Sequence, residues 1–157
     1  MLTEEEILFK GFSEEERRDF LSIGQERHFE SQEFIIRDGA PGNSLFILRE
    51  GRVSVWRGDV KLADLVEGDV FGESVVFQAH NRIAAVRADS PVGVVEIRRQ
   101  DLLHFFKWRE ERLFKILVIN IVNILFHKLS RADERIASLE KSLREQAVWL
   151  LGKASQF

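Results

Sequence analysis

The residue pattern predicts an α+β chain: an antiparallel β sandwich or barrel, flanked by short N-terminal helices and followed by a long C-terminal helix. Three observations predict it. Two capping-box spacings open the chain, Thr3 with Glu6 and Ser13 with Glu16. Short β-branched and aromatic runs, punctuated by glycine and proline, then fill residues 25–97. Beyond them neither glycine nor proline occurs between Val94 and Leu151, the signature of one long helix preceded by a short one.

In chain order, Ile7, Leu8, Phe20, Leu21 and Ile23 give the first region apolar positions for two short helices, with Gly11 and Gly24 near their ends. Strands are expected at Glu33–Ile36, Leu45–Leu48, Arg52–Trp56, Val60–Val66, Ile83–Ala88 and Val92–Ile97. Gly39, Pro41-Gly42, Glu50-Gly51, Gly58-Asp59, Gly68-Asp69 and Ser90-Pro91 separate or bound them. Val53 and Val55 alternate with Arg52, Ser54 and Trp56, the two-residue period of a half-buried strand. With no long helix between strands, an antiparallel arrangement is expected and a parallel α/β sheet is not.

The chain's 157 residues suffice for one domain plus an appendage, read as residues 1–108 and 109–157. No cysteine is present, which removes disulfides, thiolate metal sites and thiol nucleophiles and fits a reducing, cytoplasmic setting. The acidic start Met1-Leu2-Thr3-Glu4-Glu5-Glu6 is unlike a secretory signal. A net charge of −3 argues against nucleic acid as the main partner. The most apolar window, Leu113 to Phe126, is interrupted by Lys115, Asn120 and Asn123 and falls short of the roughly 20 residues of a span. A buried helix is expected there, not a membrane segment.

The C-terminal helix carries a heptad. Val122, Leu129, Ile136, Leu143 and Leu150 recur at a, and Val118, Leu125, Ala132, Leu139 and Gln146 at d. Lys128 and Arg135 fall at g, with Asp133 and Glu140 at the following e positions, so a parallel dimer would match opposite charges across both pairs. From Leu129 onward the apolar stripe narrows, and a homodimer is expected through this helix.

Chemistry concentrates in Phe71-Gly72-Glu73-Ser74-Val75-Val76-Phe77 and Arg82-Ile83-Ala84-Ala85-Val86-Arg87-Ala88. They offer a tight glycine turn, a short helical segment with outward N–H groups, a carboxylate, and an arginine expected to open the next strand. A helix N-terminus with one arginine is a recurrent phosphate cradle. The carboxylate suits a sugar hydroxyl, and apolar strand faces can take a purine.

These residues resemble the phosphate-binding cassette of the cyclic-nucleotide-binding domain family, the domain of protein kinase A regulatory subunits, catabolite activator protein and cyclic-nucleotide-gated channels. The nine-residue step from Glu73 to Arg82 is like that of the kinase and channel members. The likeness continues through Leu8-Phe9, Phe20-Leu21, Phe34-Ile35-Ile36 with Gly39, and Ser44-Leu45-Phe46-Ile47-Leu48 with Gly51, Val53 and Val55, over roughly residues 5 to 130. The resemblance implies a jelly-roll barrel and a ligand site of Gly72, Glu73, Ser74, Val75, Arg82, Ile83 and Ala84. In it Glu73 would accept from the ribose 2′-hydroxyl and Arg82 would pair with the cyclic phosphate. Backbone amides of Gly72 and Ala84 would serve the ribose or phosphate, and Val75 would line the pocket. Phe114, Leu117 and Arg112 are candidates for the residue that covers the base.

The sequence departs from the family in two places: Ile83 stands where Ser, Thr or Ala is usual, removing a hydroxyl and adding bulk beside the phosphate, and Asn81 replaces a frequent proline. Lacking the hydroxyl that cGMP-selective members use, Ile83 implies cAMP over cGMP. The expected function is thus a non-catalytic cAMP sensor acting through its helix and dimer, on an effector protein the sequence does not name. The alternative is a degenerate member that keeps fold and dimer but binds no nucleotide. No DNA binding is expected, since the DNA-binding members follow the dimer helix with a helix-turn-helix and Phe157 leaves no room for one. His28, His80, His104 and His127 lie in unlike elements, without the clustering of a metal-dependent cupin enzyme, so no metal and no catalysis are expected.

Overall fold

The computed structural model describes residues 2–154; Met1 and residues 155–157, the ends of the two expected regions, lie outside them. Helices α1 (Glu4–Leu8) and α2 (Glu14–Leu21) both begin with complete capping boxes. The Thr3 hydroxyl accepts from the Glu6 amide at 3.1 Å while the Glu6 carboxylate takes the Thr3 amide at 2.8 Å. Ser13 and Glu16 repeat the exchange at 3.1 and 2.9 Å.

Ten strands follow: β1 (Gln25–Phe29), β2 (Phe34–Ile36), β3 (Pro41–Gly42), β4 (Ser44–Glu50), β5 (Val53–Arg57), β6 (Val60–Leu65), β7 (Val70–Phe71), β8 (His80–Asn81), β9 (Ala85–Ala88) and β10 (Val92–Arg98). They pair antiparallel as β1-β10-β4-β7, β2-β9-β5-β6 and the short β3-β8 ladder. This is the expected jelly-roll architecture, with a long C-terminal helix. Four strands were not expected. β1 is a polar, mostly exposed run without alternation, and β3, β7 and β8 are two-residue ladders too short to leave a period. The strand expected from Ile83 begins only at Ala85, because Arg82–Ala84 form a bend.

The inner core lies between the sheets: Ile36, Phe46, Leu48, Val53, Leu65, Phe71, Val86, Ala88, Val92 and Val94. Cross-strand partners share a face, so the intervening residues of β4 and β10, Leu45 with Ile97 and Ile47 with Val95, point to the other side of their sheet. All four are buried. The helices contribute α3 (Arg99–Lys107) and α4 (Glu111–Ala154). Phe20 packs edge-on against Phe9, Phe12 and Phe105 at ring separations of 5.5–6.1 Å. Buried Asn120 of α4 donates to both Leu8 O and Lys10 O at 2.8 Å, satisfying carbonyls at the end of α1.

The chain divides into two compact units, Met1–Ile121 and Val122–Phe157, the boundary falling inside α4. In the second unit the described residues, 122–154, are a single helix. Its a and d residues Leu129, Ile136, Leu139, Leu143 and Leu150 are each more than half exposed.

Candidate functional site

The cassette begins where β7 ends. Phe71 stacks on Phe46 across the ladder, rings 5.0 Å apart and 9° from parallel, anchoring the strand in the core. Gly72 then turns the chain in the left-handed region, φ 71°, into a four-residue 3₁₀ turn, Glu73–Val76. Val75 and Val76 are buried and hold this turn down. The expected helical segment is thus one turn, shorter and tighter than an α-helix.

The return arm is fixed by its backbone. β8 pairs with β3, His80 opposite Gly42 and Asn81 opposite Pro41. Arg82 N donates to Ala40 O, and Gly39 N to Arg82 O, each at 2.8 Å. Arg82 therefore sits in the bend between β8 and β9, not at the head of a strand. His80 ties the arms together: Nδ1 bonds the Asn81 carbonyl at 2.8 Å and Nε2 lies 2.7 Å from Ser74 Oγ. A carbonyl only accepts, so Nδ1 carries the proton, and in the neutral ring Nε2 accepts from the serine hydroxyl.

Arg82 is 9% exposed and Glu73 6%. The guanidinium donates through Nη2 to Ser44 O at 2.6 Å and through Nη1 to Gly72 O at 3.4 Å. Two glycines make room for it. A Cβ at Gly42 would stand 2.5 Å from Nε, and one at Gly72 would stand 3.1 Å from both Nη atoms and 2.7 Å from Ser44 O. Burial pulls the guanidinium below the usual arginine range, while the charges of Glu73 and Glu96 oppose that shift. A buried cation between glycines, with a carboxylate and the N–H groups of a tight turn close in sequence, is equipped for an anionic phosphate on a hydroxyl-bearing group.

Of the residues singled out by sequence, Gly72, Glu73, Ser74, Val75 and Arg82 converge. Ala84 is half-buried in the bend. Ile83 is 73% exposed, its side chain open to solvent. The three cover candidates are engaged among the helices. Phe114 packs on Phe106 at 5.2 Å, Arg112 pairs with Glu16 at 2.7 Å, and Leu117 is fully buried.

Sequence reading assigns no site role to Gly42, which it takes as a strand separator, to Ser44, which it takes only as part of the family likeness, or to Glu96, a lone carboxylate in an apolar strand. From sequence His80 is one of four histidines in unlike elements. Away from the cassette an open hollow of about 630 Å³ is lined by Ile23, Asp101, His104, Phe105, Trp108 and Arg109. Among the described residues no group of three or more metal-ligating side chains comes together.

Comparison with known proteins reaches the same segment. The family model of the cyclic nucleotide-binding domain matches residues 26–108. Glutaminase 2 of Bradyrhizobium diazoefficiens is 32% identical over 133 residues, 84% of this chain and 21% of that protein. The cGMP-dependent protein kinase 2 of Homo sapiens is 30% identical over 83 residues, 53% of this chain and 11% of that protein. Both curated relatives are therefore several times longer than the part this chain matches. The crystal structure of Thermus thermophilus catabolite activator protein superposes with a TM-score of 0.70 at 26% identity, covering 85% of this chain and 63% of that one. The family match takes in both arms of the cassette and more than half the chain, and this chain belongs to the cyclic nucleotide-binding domain family as a regulatory, nucleotide-binding module.

Proposed function

We propose that this chain is a non-catalytic sensor that binds cAMP in preference to cGMP and acts through a homodimer formed by its C-terminal helix. The observation carrying the ligand reading is Arg82, a buried guanidinium seated between Gly42 and Gly72, with Glu73 nine residues before it. Arg82 would take the cyclic phosphate, Glu73 the ribose 2′-hydroxyl, and the amides of Gly72 and Ala84 the remaining acceptors. The preference for cAMP rests on Ile83, which offers no hydroxyl to a guanine amino group.

The dimer reading rests on the exposed seam of α4 and the matched charges Lys128 with Asp133 and Arg135 with Glu140. Helix α4 is long and apolar enough to cross a membrane by length and composition. Leu113, Leu117, Asn120 and Ile121 are buried in the folded first unit, and we read the helix as packing there, with the protein in the cytoplasm. DNA is not a partner in this reading, because the chain is net acidic. The effector is carried by another protein or by further parts of a longer one.

Calorimetric titration of cAMP and cGMP into the purified protein tests the ligand reading. Binding of cAMP tighter than cGMP is expected. Binding of neither, with binding restored by Ile83→Thr or Ile83→Ala, would overturn it in favour of a degenerate interaction module.

A further inference from the structure

The inner wall of the jelly roll carries a carboxylate that the cassette does not account for. Glu96 is the register partner of Phe46, whose ring belongs to the inner core, so it faces the same side. A carboxylate there is costly unless partnered. At the rim, Arg27 donates to its two oxygens at 3.4 and 3.2 Å. Inside, the Ser44 hydroxyl donates to Oε1 at 3.2 Å.

Ser44 is the hinge of the arrangement. Its hydroxyl holds Glu96 while its carbonyl accepts Arg82 Nη2 at 2.6 Å. One buried residue thus sits between the phosphate-binding cation and a second carboxylate, on the opposite arm of the fold from Glu73. Arg82, Glu96 and Arg27 thus meet around Ser44, whose register partner in β10 is Arg98.

We propose that Glu96 is a positioning residue for Arg82, an internal counter-ion that keeps the guanidinium seated on Ser44 while the cassette is empty and that an incoming phosphate must outweigh. The proposal rests on the reading of Arg82 as the phosphate ligand. Two consequences have opposite signs. Glu96 stabilises the empty protein, because a buried cation keeps a second anion nearby. It also weakens binding of any phosphate monoanion, because two anions then compete for one cation across a low-dielectric site. Arg27 screens Glu96 and so limits that competition.

The test titrates cAMP and cGMP calorimetrically into wild type, Glu96→Gln and Arg27→Met, with thermal unfolding of each empty protein. Glu96→Gln should melt lower when empty yet bind nucleotide about three- to tenfold tighter, the size expected when one partly screened charge is removed from a charged site. Arg27→Met, at a half-exposed rim position, should bind about two- to fivefold more weakly, since Glu96 loses its screen. Equal or weaker binding by Glu96→Gln would overturn the proposal, for a merely structural carboxylate could only cost affinity. If Glu96→Gln does not fold, Arg27→Met decides alone, and unchanged or tighter binding overturns it. If wild type binds neither nucleotide, the reading of Arg82 as phosphate ligand falls, and a double-mutant cycle of Arg82→Met with Glu96→Gln on the empty protein's unfolding decides the counter-ion role. Coupling supports it and additivity overturns it.

Discussion

The cassette and the distal part of α4 depart from the apolar-in, polar-out pattern in opposite directions. Around Gly72–Arg82 the chain buries charge: Glu73, Arg82 and most of Glu96 are withdrawn from water and held by backbone and hydroxyl groups. Along residues 122–154 it exposes leucine, isoleucine and valine on a helix whose described residues, past Lys128, are all exposed. A buried charge needs an anion or a cation to face, and an exposed apolar stripe needs another apolar stripe. In the proposed reading the first region takes a small anion and the second takes another helix. The two needs have different chemistry, so they respond to different substitutions.

The largest effect is expected where an apolar seam receives a charge. Leu129→Lys and Leu139→Lys each act twice in a symmetric pair, placing two ammonium groups in the a or d layer. Light scattering at about tens of micromolar, well above nanomolar affinities, should report a dimer for wild type and a shift to monomer for either variant. Nucleotide affinity should stay near the wild-type value. A wild-type monomer, or a loss of nucleotide binding as large as the loss of dimer, would break the distinction between the two regions.

Next comes the cassette's cation. A charge-assisted hydrogen bond contributes roughly 1.5–3 kcal/mol, so Arg82→Ala should weaken cyclic nucleotide binding by at least about tenfold. The dimer should persist. Glu73→Gln, which keeps shape but loses the charged acceptor, should cost less.

How these regions were legible from sequence differs for the same reason. A seam repeats: Val122, Leu129, Ile136, Leu143 and Leu150 declare one helix face by period alone, and the capping boxes at Thr3 and Ser13 declare helix starts by a fixed local exchange. The cassette does not repeat. Glu73 and Arg82 stood out through family resemblance, and each alone would read as a surface charge. What surrounds Arg82 comes from elsewhere in the chain: Gly42 and Ser44 from the β3–β4 region and Glu96 from β10. Such contacts depend on register, which short strands such as β3, β7 and β8 fix through tertiary pairing and not through alternation. The apolar run from Ile83 reads as a strand with Arg82 at its head. The ladder begins only at Ala85, since the Arg82 backbone is already engaged with Gly39 and Ala40.

Gly42→Ala sharpens this lesson. Its Cβ would stand 2.5 Å from Arg82 Nε and 2.8 Å from Cδ, so the guanidinium must leave its seat while the backbone, which is not in the left-handed region here, tolerates alanine. Cyclic nucleotide affinity should fall about three- to tenfold, less than on deleting the cation, because part of one charge-assisted bond is misaligned and not abolished. Calorimetry with thermal unfolding checks it. An unfolding loss without an affinity loss would mean that the seat of Arg82 does not matter for binding.

The smallest effect is expected at Ile83, where the cassette, like the helix, presents an apolar side chain to water and does so more fully than at Phe77. At 73% exposure it does not support the core, so replacing it should leave folding alone. What it can change is what a base meets. Threonine at this position keeps β-branching, which suits the extended backbone that follows, and restores a hydroxyl able to accept from a guanine amino group but with nothing to gain from adenine. A neutral hydrogen bond near solvent contributes about 0.5–1.5 kcal/mol. Ile83→Thr should therefore raise cGMP affinity relative to cAMP by about two- to tenfold while cAMP affinity itself barely moves. Parallel titrations of both nucleotides into wild type and variant measure that ratio directly. An unchanged ratio would show that the side chain at 83 does not reach the base. A gain for both nucleotides together would show that isoleucine obstructs the site after all, in which case its exposure in the empty protein is not kept when ligand enters.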